Sequence, residues 1–203
     1  RLQQLVSQPL AGLDLAGKPG NAEKGGRPLP EFRGRQEQFR HAEISALRDT
    51  AYFIERAEAL YGYPNFICDT GGSICEWVDG DDPEDPLLSE LARHCLLILI
   101  EGSEAHTAEL IRRFDRAPKP MCYQPRFLER AWADYLSDNR CTEDEVDPDD
   151  FIRWTYARAL AHRAPRYQAM AKRGVTVTAD EVASVASVPE FEALVARALD
   201  RRD

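Results

Sequence analysis

An adjacent pair of glycines offers the first candidate for chemistry in this chain. The apolar run Phe66-Ile67-Cys68 is predicted to be a short strand, and Asp69-Thr70-Gly71-Gly72-Ser73 follows it directly. Ligands of α/β proteins bind beyond the carboxyl ends of parallel strands, and glycines there let a ligand approach the main chain. At the strand tip, the Asp69 carboxylate can hold Mg²⁺ or accept a proton. A tight turn in which Asp69 caps the next helix explains the same residues, so both interpretations stay open.

A cluster of cations in the middle of the chain suggests phosphate chemistry. Four cations fall within eight residues, in a chain whose net charge is −9: Arg112, Arg113, Arg116 and Lys119. Cations on a helix end and its following loop can clamp a polyphosphate and neutralise the charge that develops during phosphoryl transfer. A solvated helix C-terminus also favours cations, because the helix dipole attracts them. The cluster therefore indicates either a phosphate site or an ordinary exposed helix end.

The segment Arg163-Ala164-Pro165-Arg166-Tyr167 is the third candidate. An arginine guanidinium suits bidentate binding of a carboxylate or a phosphate. A plain surface turn accounts for the same composition.

The elements that must position these residues alternate between helices and short apolar strands. Helices are expected over about 31–60 with a break at Asp49-Thr50, then over 87–94, 103–114, 127–136, from Asp147-Pro148 onwards, and over 189–199. Strands are expected over 66–69, 96–100 and 175–178. This alternation predicts an α/β fold, a three-layer α/β/α arrangement around a parallel sheet, with residues 1–30 as an irregular arm.

The bulk composition limits the partners and the compartment. The net charge of −9 argues against nucleic acid or an anionic membrane as the partner, because both repel an acidic surface. The longest aliphatic run, 96–100, is far too short to span a bilayer. The five cysteines are scattered and form no CxxC pair, which argues against zinc and favours a reducing compartment. We therefore expect a cytoplasmic protein.

Five short motifs, taken in order, resemble the shikimate-kinase branch of the P-loop kinases. Phe39-Arg40-His41-Ala42-Glu43 resembles the Phe-Arg-x-x-Glu motif of that family, and Thr70-Gly71-Gly72-Ser73 resembles its Thr-Gly-Gly-Gly. The strand at 96–100 with Arg112 and Arg113 resembles the next strand and the lid helix. Lys119-Pro120-Met121 resembles the lid Arg-Pro-Leu, and Arg163-x-Pro-x-Tyr167 resembles the late Arg-x-Pro-x-Tyr. The order and rough spacing agree from about residue 36 to the C-terminus.

The resemblance implies a fold, cofactors and residue roles. It implies one P-loop kinase-like domain over 1–203 with a helical lid insertion over 122–160, which uses ATP and Mg²⁺ on a small anionic substrate. The implied substrate-binding residues are Arg40, Gly71, Gly72, Ser73 and Arg163. The implied nucleotide-binding residues are Arg112, Arg113 and Arg116, and the implied catalytic residues are Asp69, Arg116 and Lys119, with Asp69 also holding the metal.

The departures from the family pattern matter. Ser73 replaces the third glycine, Asp69 stands where the family usually has a small residue, and Lys119 lacks the bidentate fork of arginine. The phosphate loop is missing: Gly12 to Lys18 match its first seven positions, but Pro19 replaces the Ser or Thr that would place a hydroxyl on Mg²⁺. We interpret that stretch as a plain loop and expect the phosphate loop to precede Arg1.

Two functions follow from these observations. The first is an ATP-dependent phosphotransferase or ATPase that acts on a small anionic molecule. The second is a non-catalytic relative that binds a nucleotide or a protein, which the missing phosphate loop and the aromatic residues of 122–160 support.

Overall fold

The computed structural model describes residues 17–202, which form two compact units. Unit 1 comprises residues 17–43 and 111–161, and unit 2 comprises residues 44–110 and 162–202. The motif at 12–16 lies outside the described residues.

Helices account for most of the described chain. The α-helices are α1 Leu29–Arg48, α2 Thr50–Tyr61, α3 Pro86–Ala92, α4 Glu104–Arg116, α5 Pro125–Asn139, α6 Pro148–Ala171, α7 Ala179–Ala183 and α8 Val188–Asp200. Short 3₁₀ helices cover Ala22–Lys24, Gly72–Glu76 and Glu143–Glu145. The two strands are β1 Ile98–Glu101 and β2 Val175–Thr178.

The expected three-layer α/β/α, P-loop kinase-like fold is wrong for the described residues. They are mostly helical, and their sheet has two strands. The strands predicted near 96–100 and 175–178 do pair in parallel, with Ile98 opposite Val175. Residues 66–69 are not a strand, because an apolar β-prone segment becomes a strand only when a neighbouring strand accepts and donates its ladder hydrogen bonds.

Most of the predicted helices exist close to the expected bounds. The long first helix breaks at Asp49, which separates α1 from α2 as predicted. The start of α6 is also confirmed, since the Asp147 carboxylate accepts hydrogen bonds from the backbone N–H groups of Asp149 and Asp150. No helix within residues 17–202 is long and apolar enough to cross a lipid bilayer.

Unit 1 encloses an aromatic core. Phe151 packs edge-on against Trp132 and Tyr135, with ring centroids 5.0 and 5.3 Å apart. Phe32 and Tyr123 are fully buried beside them. The aromatic residues of 122–160 therefore build the core of this unit.

Unit 2 has two smaller aliphatic cores. One lies around the 3₁₀ helix Gly72–Glu76 and α3 and includes Ile74, Leu88, Leu91 and Met170. The other packs α8 against β2, whose inward residues are Val175 and Val177. Every large apolar side chain that is exposed in the described part of the chain belongs to unit 2.

A substitution at Gly174 can test the pairing of the two strands. A Cβ at this position would lie 1.9 Å from the carbonyl oxygen of Leu97, which accepts the hydrogen bond of Val175 N–H at 2.9 Å. Gly174→Ala should therefore destabilise the protein by about 1–3 kcal/mol through overpacking. Gly34 in α1 has nothing within 4 Å of its hypothetical Cβ, so Gly34→Ala should stabilise by about 0.5–1 kcal/mol. Denaturant unfolding measures both, and a neutral Gly174→Ala would contradict the close packing.

Candidate functional site

The glycine pair forms a turn that leads into the 3₁₀ helix Gly72–Glu76. One carboxylate oxygen of Asp69 accepts a hydrogen bond from Gly71 N–H at 2.9 Å, which closes a local turn. Gly71 has φ 67°, a left-handed conformation that favours glycine. Asp69 is exposed and lies in a local turn, and the N-cap of the following 3₁₀ helix is Gly71, not Asp69 as the turn interpretation expected.

The second glycine makes room for a tyrosine. The Tyr167 hydroxyl donates a hydrogen bond to the Gly72 carbonyl oxygen at 2.6 Å, and the Cys75 thiol donates to the same oxygen at 3.3 Å. A Cβ on Gly72 would stand 3.0 Å from the Tyr167 hydroxyl oxygen. A larger residue would therefore push Tyr167 away, so the close approach predicted for a ligand is made here by a side chain of the protein.

A buried ion pair lies directly beside this turn. Arg163 Nε donates to Glu76 Oε1 at 2.6 Å, and the two residues are 8% and 5% exposed. His162 Nε2 lies 4.0 Å from the other oxygen of Glu76. Burial lowers the pKa of Arg163, but the Glu76 carboxylate, its hydrogen bond, and the neighbouring Tyr167 and Cys75 together raise the pKa above its ordinary value. The guanidinium predicted to bind substrate is thus engaged by an internal carboxylate.

One face of α6 supplies the groups that hold the turn. Arg163, Arg166 and Tyr167 are spaced three and four residues apart, so they lie on the same side of the helix. Arg166 Nε donates to the Cys75 carbonyl oxygen at 2.6 Å, next to the contacts of Arg163 and Tyr167. The Arg-x-Pro-x-Tyr motif therefore fixes residues 72–78 along their whole length.

The ionisable groups of this cluster are poorly suited to covalent catalysis. Burial raises the pKa of the Cys75 thiol, and the Glu76 carboxylate raises it further. Burial also raises the pKa of Tyr167 strongly. Both groups are protonated at neutral pH, so Cys75 is a weak nucleophile and Tyr167 acts as a hydrogen-bond donor. The cluster positions the Gly71-Gly72 turn.

The cation segment 112–119 belongs to unit 1 and is anchored on both sides. The Phe114 ring stacks on Tyr156 with centroids 3.8 Å apart, and Arg153 Nε donates to the Asp115 carbonyl oxygen at 3.0 Å. After the segment, Cys122 and Tyr123 are buried, and Tyr123 N–H donates to the buried Gln36 side chain at 2.6 Å. The contacts at 114–115 and 122–123 therefore hold the backbone on either side of Arg116 and Lys119.

The predicted site residues divide between the two units. Unit 2 brings together Asp69, Gly71, Gly72, Ser73 and Arg163. Unit 1 holds the cations of 112–119 and Arg40, whose guanidinium bonds to Glu37 one turn earlier in α1 at 3.2 Å. Lys18, the last matching position of the incomplete phosphate-loop pattern, forms an ion pair with Asp149 at 2.5 Å.

A protein-held magnesium site is not formed by these residues. Within residues 17–202, no three His, Cys, Asp or Glu side chains lie close enough to share a metal ion. One carboxylate oxygen of Asp69 is bonded to Gly71 N–H. Because Mg²⁺ is usually held by one or two carboxylates together with phosphates and waters, the predicted metal role of Asp69 stays a prediction.

Sequence reasoning assigned no role to Glu76, Cys75 or Arg166, and named Tyr167 only as part of a motif. The signal that could have found Glu76 is a carboxylate within the apolar run Ile74 to Val78, since a buried acid needs a cationic partner. Arg163 and Arg166 in one helical stretch were the available partners.

Comparison with known proteins does not assign this sequence to a family. No protein-family model matches this sequence, and no curated protein or solved structure matches it either. The resemblance to shikimate kinases stays a prediction that rests on the motifs alone.

The ion pair can be tested by removing one partner or both. Arg163→Ala should destabilise the protein by about 3–5 kcal/mol, because the Glu76 carboxylate is left buried without its cation. Arg158→Ala, on the exposed side of the same helix, removes a contact with the Trp154 ring and an exposed hydrogen bond to the Trp154 carbonyl oxygen, and should cost about 1 kcal/mol or less. The double variant Glu76→Leu with Arg163→Met should be more stable than Arg163→Ala in urea unfolding. Equal losses for Arg163→Ala and Arg158→Ala would show that the pair is not buried in solution.

Proposed function

We propose that this chain takes part in ATP-dependent phosphoryl transfer or ATP hydrolysis, on a small anionic substrate, and that residues 112–119 contact the phosphates. The observation that carries the proposal is the anchored display of cations at the end of α4. The motif order described for the sequence adds the expectation of a kinase-type reaction. The scattered cysteines, which form no CxxC pair, favour a reducing, cytoplasmic setting for it.

The charge pattern of the segment supports phosphate binding. Arg112, Arg113, Arg116 and Lys119 are all exposed. The side chains of Arg116 and Lys119 form no hydrogen bond or ion pair with any residue of 17–202, so both cations are available to a ligand. Charge-assisted hydrogen bonds from such groups to phosphate oxygens are among the stronger polar contacts in proteins.

The contacts that anchor the backbone reduce the conformational entropy that these cations lose when they bind a ligand. A guanidinium on a flexible loop loses conformational freedom when it binds, and this loss reduces affinity. Here the Phe114–Tyr156 stack and the Arg153 contact fix the backbone before any ligand arrives. Preorganised cations are what stabilises the charge that spreads over a phosphoryl group during transfer.

The substrate side of the proposal rests on the Gly71 turn in unit 2. Asp69 and Ser73 lie at this turn, and the Gly71 main chain is exposed. Arg163 contributes by holding Glu76 and the turn, since its Nε is already bonded within the protein. The described residues supply no group of three protein ligands for Mg²⁺.

A second candidate function is the binding of another polypeptide without catalysis. The exposed apolar side chains of unit 2 favour it, because isolated soluble units rarely expose contiguous apolar surface without a partner.

The phosphate contact is tested by removing the two cations together. Arg116→Ala with Lys119→Ala should weaken the binding of ATP and of tripolyphosphate about tenfold or more, since each charge-assisted hydrogen bond is worth about 1.5–3 kcal/mol. Isothermal titration calorimetry measures the affinity, and thermal unfolding confirms that the variant remains folded. Wild-type affinity should fall as salt is added, as expected for exposed charges.

A matched control comes from the next helix. Arg126→Ala with Arg130→Ala removes two exposed cations of unit 1 from α5 and should leave both affinities unchanged. Release of inorganic phosphate from ATP then separates the two hypotheses. Binding without turnover supports the non-catalytic nucleotide-binding relative, and equal losses in both double variants would reduce the effect to general charge attraction.

A further inference from the structure

Unit 1 contains a pocket of about 420 Å³ whose charged lining is entirely acidic. Three acidic residues line it, namely Glu23, Glu143 and Asp144. Large apolar side chains are also present in the lining, those of Leu29 and Trp132. No Lys, Arg or His of the described residues lines the pocket. Pockets of this volume commonly hold small organic ligands, and the excess of negative charge favours a cation.

The three acidic side chains of the pocket are not neutralised by the protein. All three residues are exposed, and none of their carboxylates forms a hydrogen bond or ion pair with any residue of 17–202. The nearby Lys24 directs its Nζ to the Glu145 carbonyl oxygen, at 3.2 Å. The three carboxylates do not lie close enough together to share one metal ion. An organic cation, which makes its contacts through several atoms, therefore suits them better.

The indole N–H of Trp132 is an independent feature of the same pocket. Trp132 is 5% exposed, and its Nε1 has no hydrogen-bond partner among the described residues. A buried indole N–H usually has an acceptor, because burial removes its hydrogen bond to water and a replacement is needed. Since Trp132 lines the pocket, an oxygen atom held there can be this acceptor.

Hydrogen bonds between the two chain segments hold the wall of the pocket in place. Asn21 N–H donates to the Val146 carbonyl oxygen at 2.9 Å, and Asn21 Nδ2 donates to the Asp144 carbonyl oxygen. The 3₁₀ helix Glu143–Glu145 is itself closed by the Glu145 carboxylate, which accepts from Thr142 N–H at 2.8 Å. A wall that is fixed before binding reduces the entropy that a ligand must offset.

We propose that this pocket binds a small hydroxylated amine, of the chemical class of amino alcohols and amino sugars. Its ammonium group lies among the carboxylates of Glu23, Glu143 and Asp144. Its hydroxyl oxygen accepts the hydrogen bond of the Trp132 indole, and its carbon skeleton packs against the apolar lining. The inference does not depend on the proposed phosphate chemistry, because the two ligands have opposite charge.

Three probes with the same carbon ring separate the parts of this recognition. Aminocyclohexanol carries both groups, cyclohexylamine lacks the hydroxyl, and cyclohexanol lacks the amine. In titrations of the full chain followed by NMR, aminocyclohexanol should bind about fivefold more tightly than cyclohexylamine, since it gains one hydrogen bond. Cyclohexanol should bind more weakly than either amine. The indole N–H proton of Trp132 should move downfield with aminocyclohexanol and not with cyclohexylamine.

Variants of unit 1 test the residues themselves. Glu143→Gln with Asp144→Asn removes two charges at nearly constant size and should weaken the binding of both amines about fivefold or more. The matched control, Asp134→Asn with Asp138→Asn, removes two exposed charges of α5 outside the pocket and should leave both affinities unchanged. Trp132→Phe identifies the indole resonance among the three tryptophans and should make the two amines bind equally.

Three results would overturn the proposal. Aminocyclohexanol that shows no saturable binding would exclude the site. Equal affinity of the wild-type chain for aminocyclohexanol and cyclohexylamine would remove the role of the indole N–H. Equal losses in the two double carboxamide variants would reduce the effect to general attraction by an acidic protein.

Discussion

The buried pair of Glu76 and Arg163 is the constraint on which unit 2 depends. A carboxylate that is almost fully removed from water must meet a cation, and only a residue fixed on a rigid element can provide one reliably. Arg163 does so from α6, and the helix repeat then brings Arg166 and Tyr167 onto the same face. The three side chains bind a carboxylate and two carbonyl oxygens of residues 72–76, so one helix face determines the conformation of the glycine turn.

The two units differ in how completely they bury their apolar side chains. Unit 1 closes its core with aromatic rings, and its exposed surface carries the cations of 112–119. Unit 2 leaves apolar side chains of α2, of residues 66–67 and of β1 in water, which costs free energy in proportion to the exposed area. Its buried ion pair lies beside the turn at 71–76. The proposed phosphate contact therefore belongs to the unit whose apolar side chains are the more completely buried.

The motifs that suggested a shikimate-kinase resemblance acquire structural roles here. Two of them meet in space, since Gly72 and Tyr167 share a hydrogen bond although they are 95 positions apart. Gly71 adopts a left-handed conformation, and Gly72 allows the close approach of Tyr167. Arg163 forms an ion pair with Glu76. These roles are internal to the protein, so the functional proposal is carried by the anchored cations.

Local structure follows from short stretches of the sequence. Helix starts such as Asp147-Pro148, the break at Asp49 and the strand near 175–178 follow from capping chemistry, proline geometry and β-branched residues, which act over a few positions. The spacing of Arg112 to Lys119 likewise marked the exposed cations. Whether residues 66–69 form a strand depends on tertiary contacts, because the hydrogen bonds of a β-ladder require a second strand from elsewhere in the chain. It also decided that Arg163 faces a carboxylate 87 positions away, because a side chain takes its partner from the packing of distant segments.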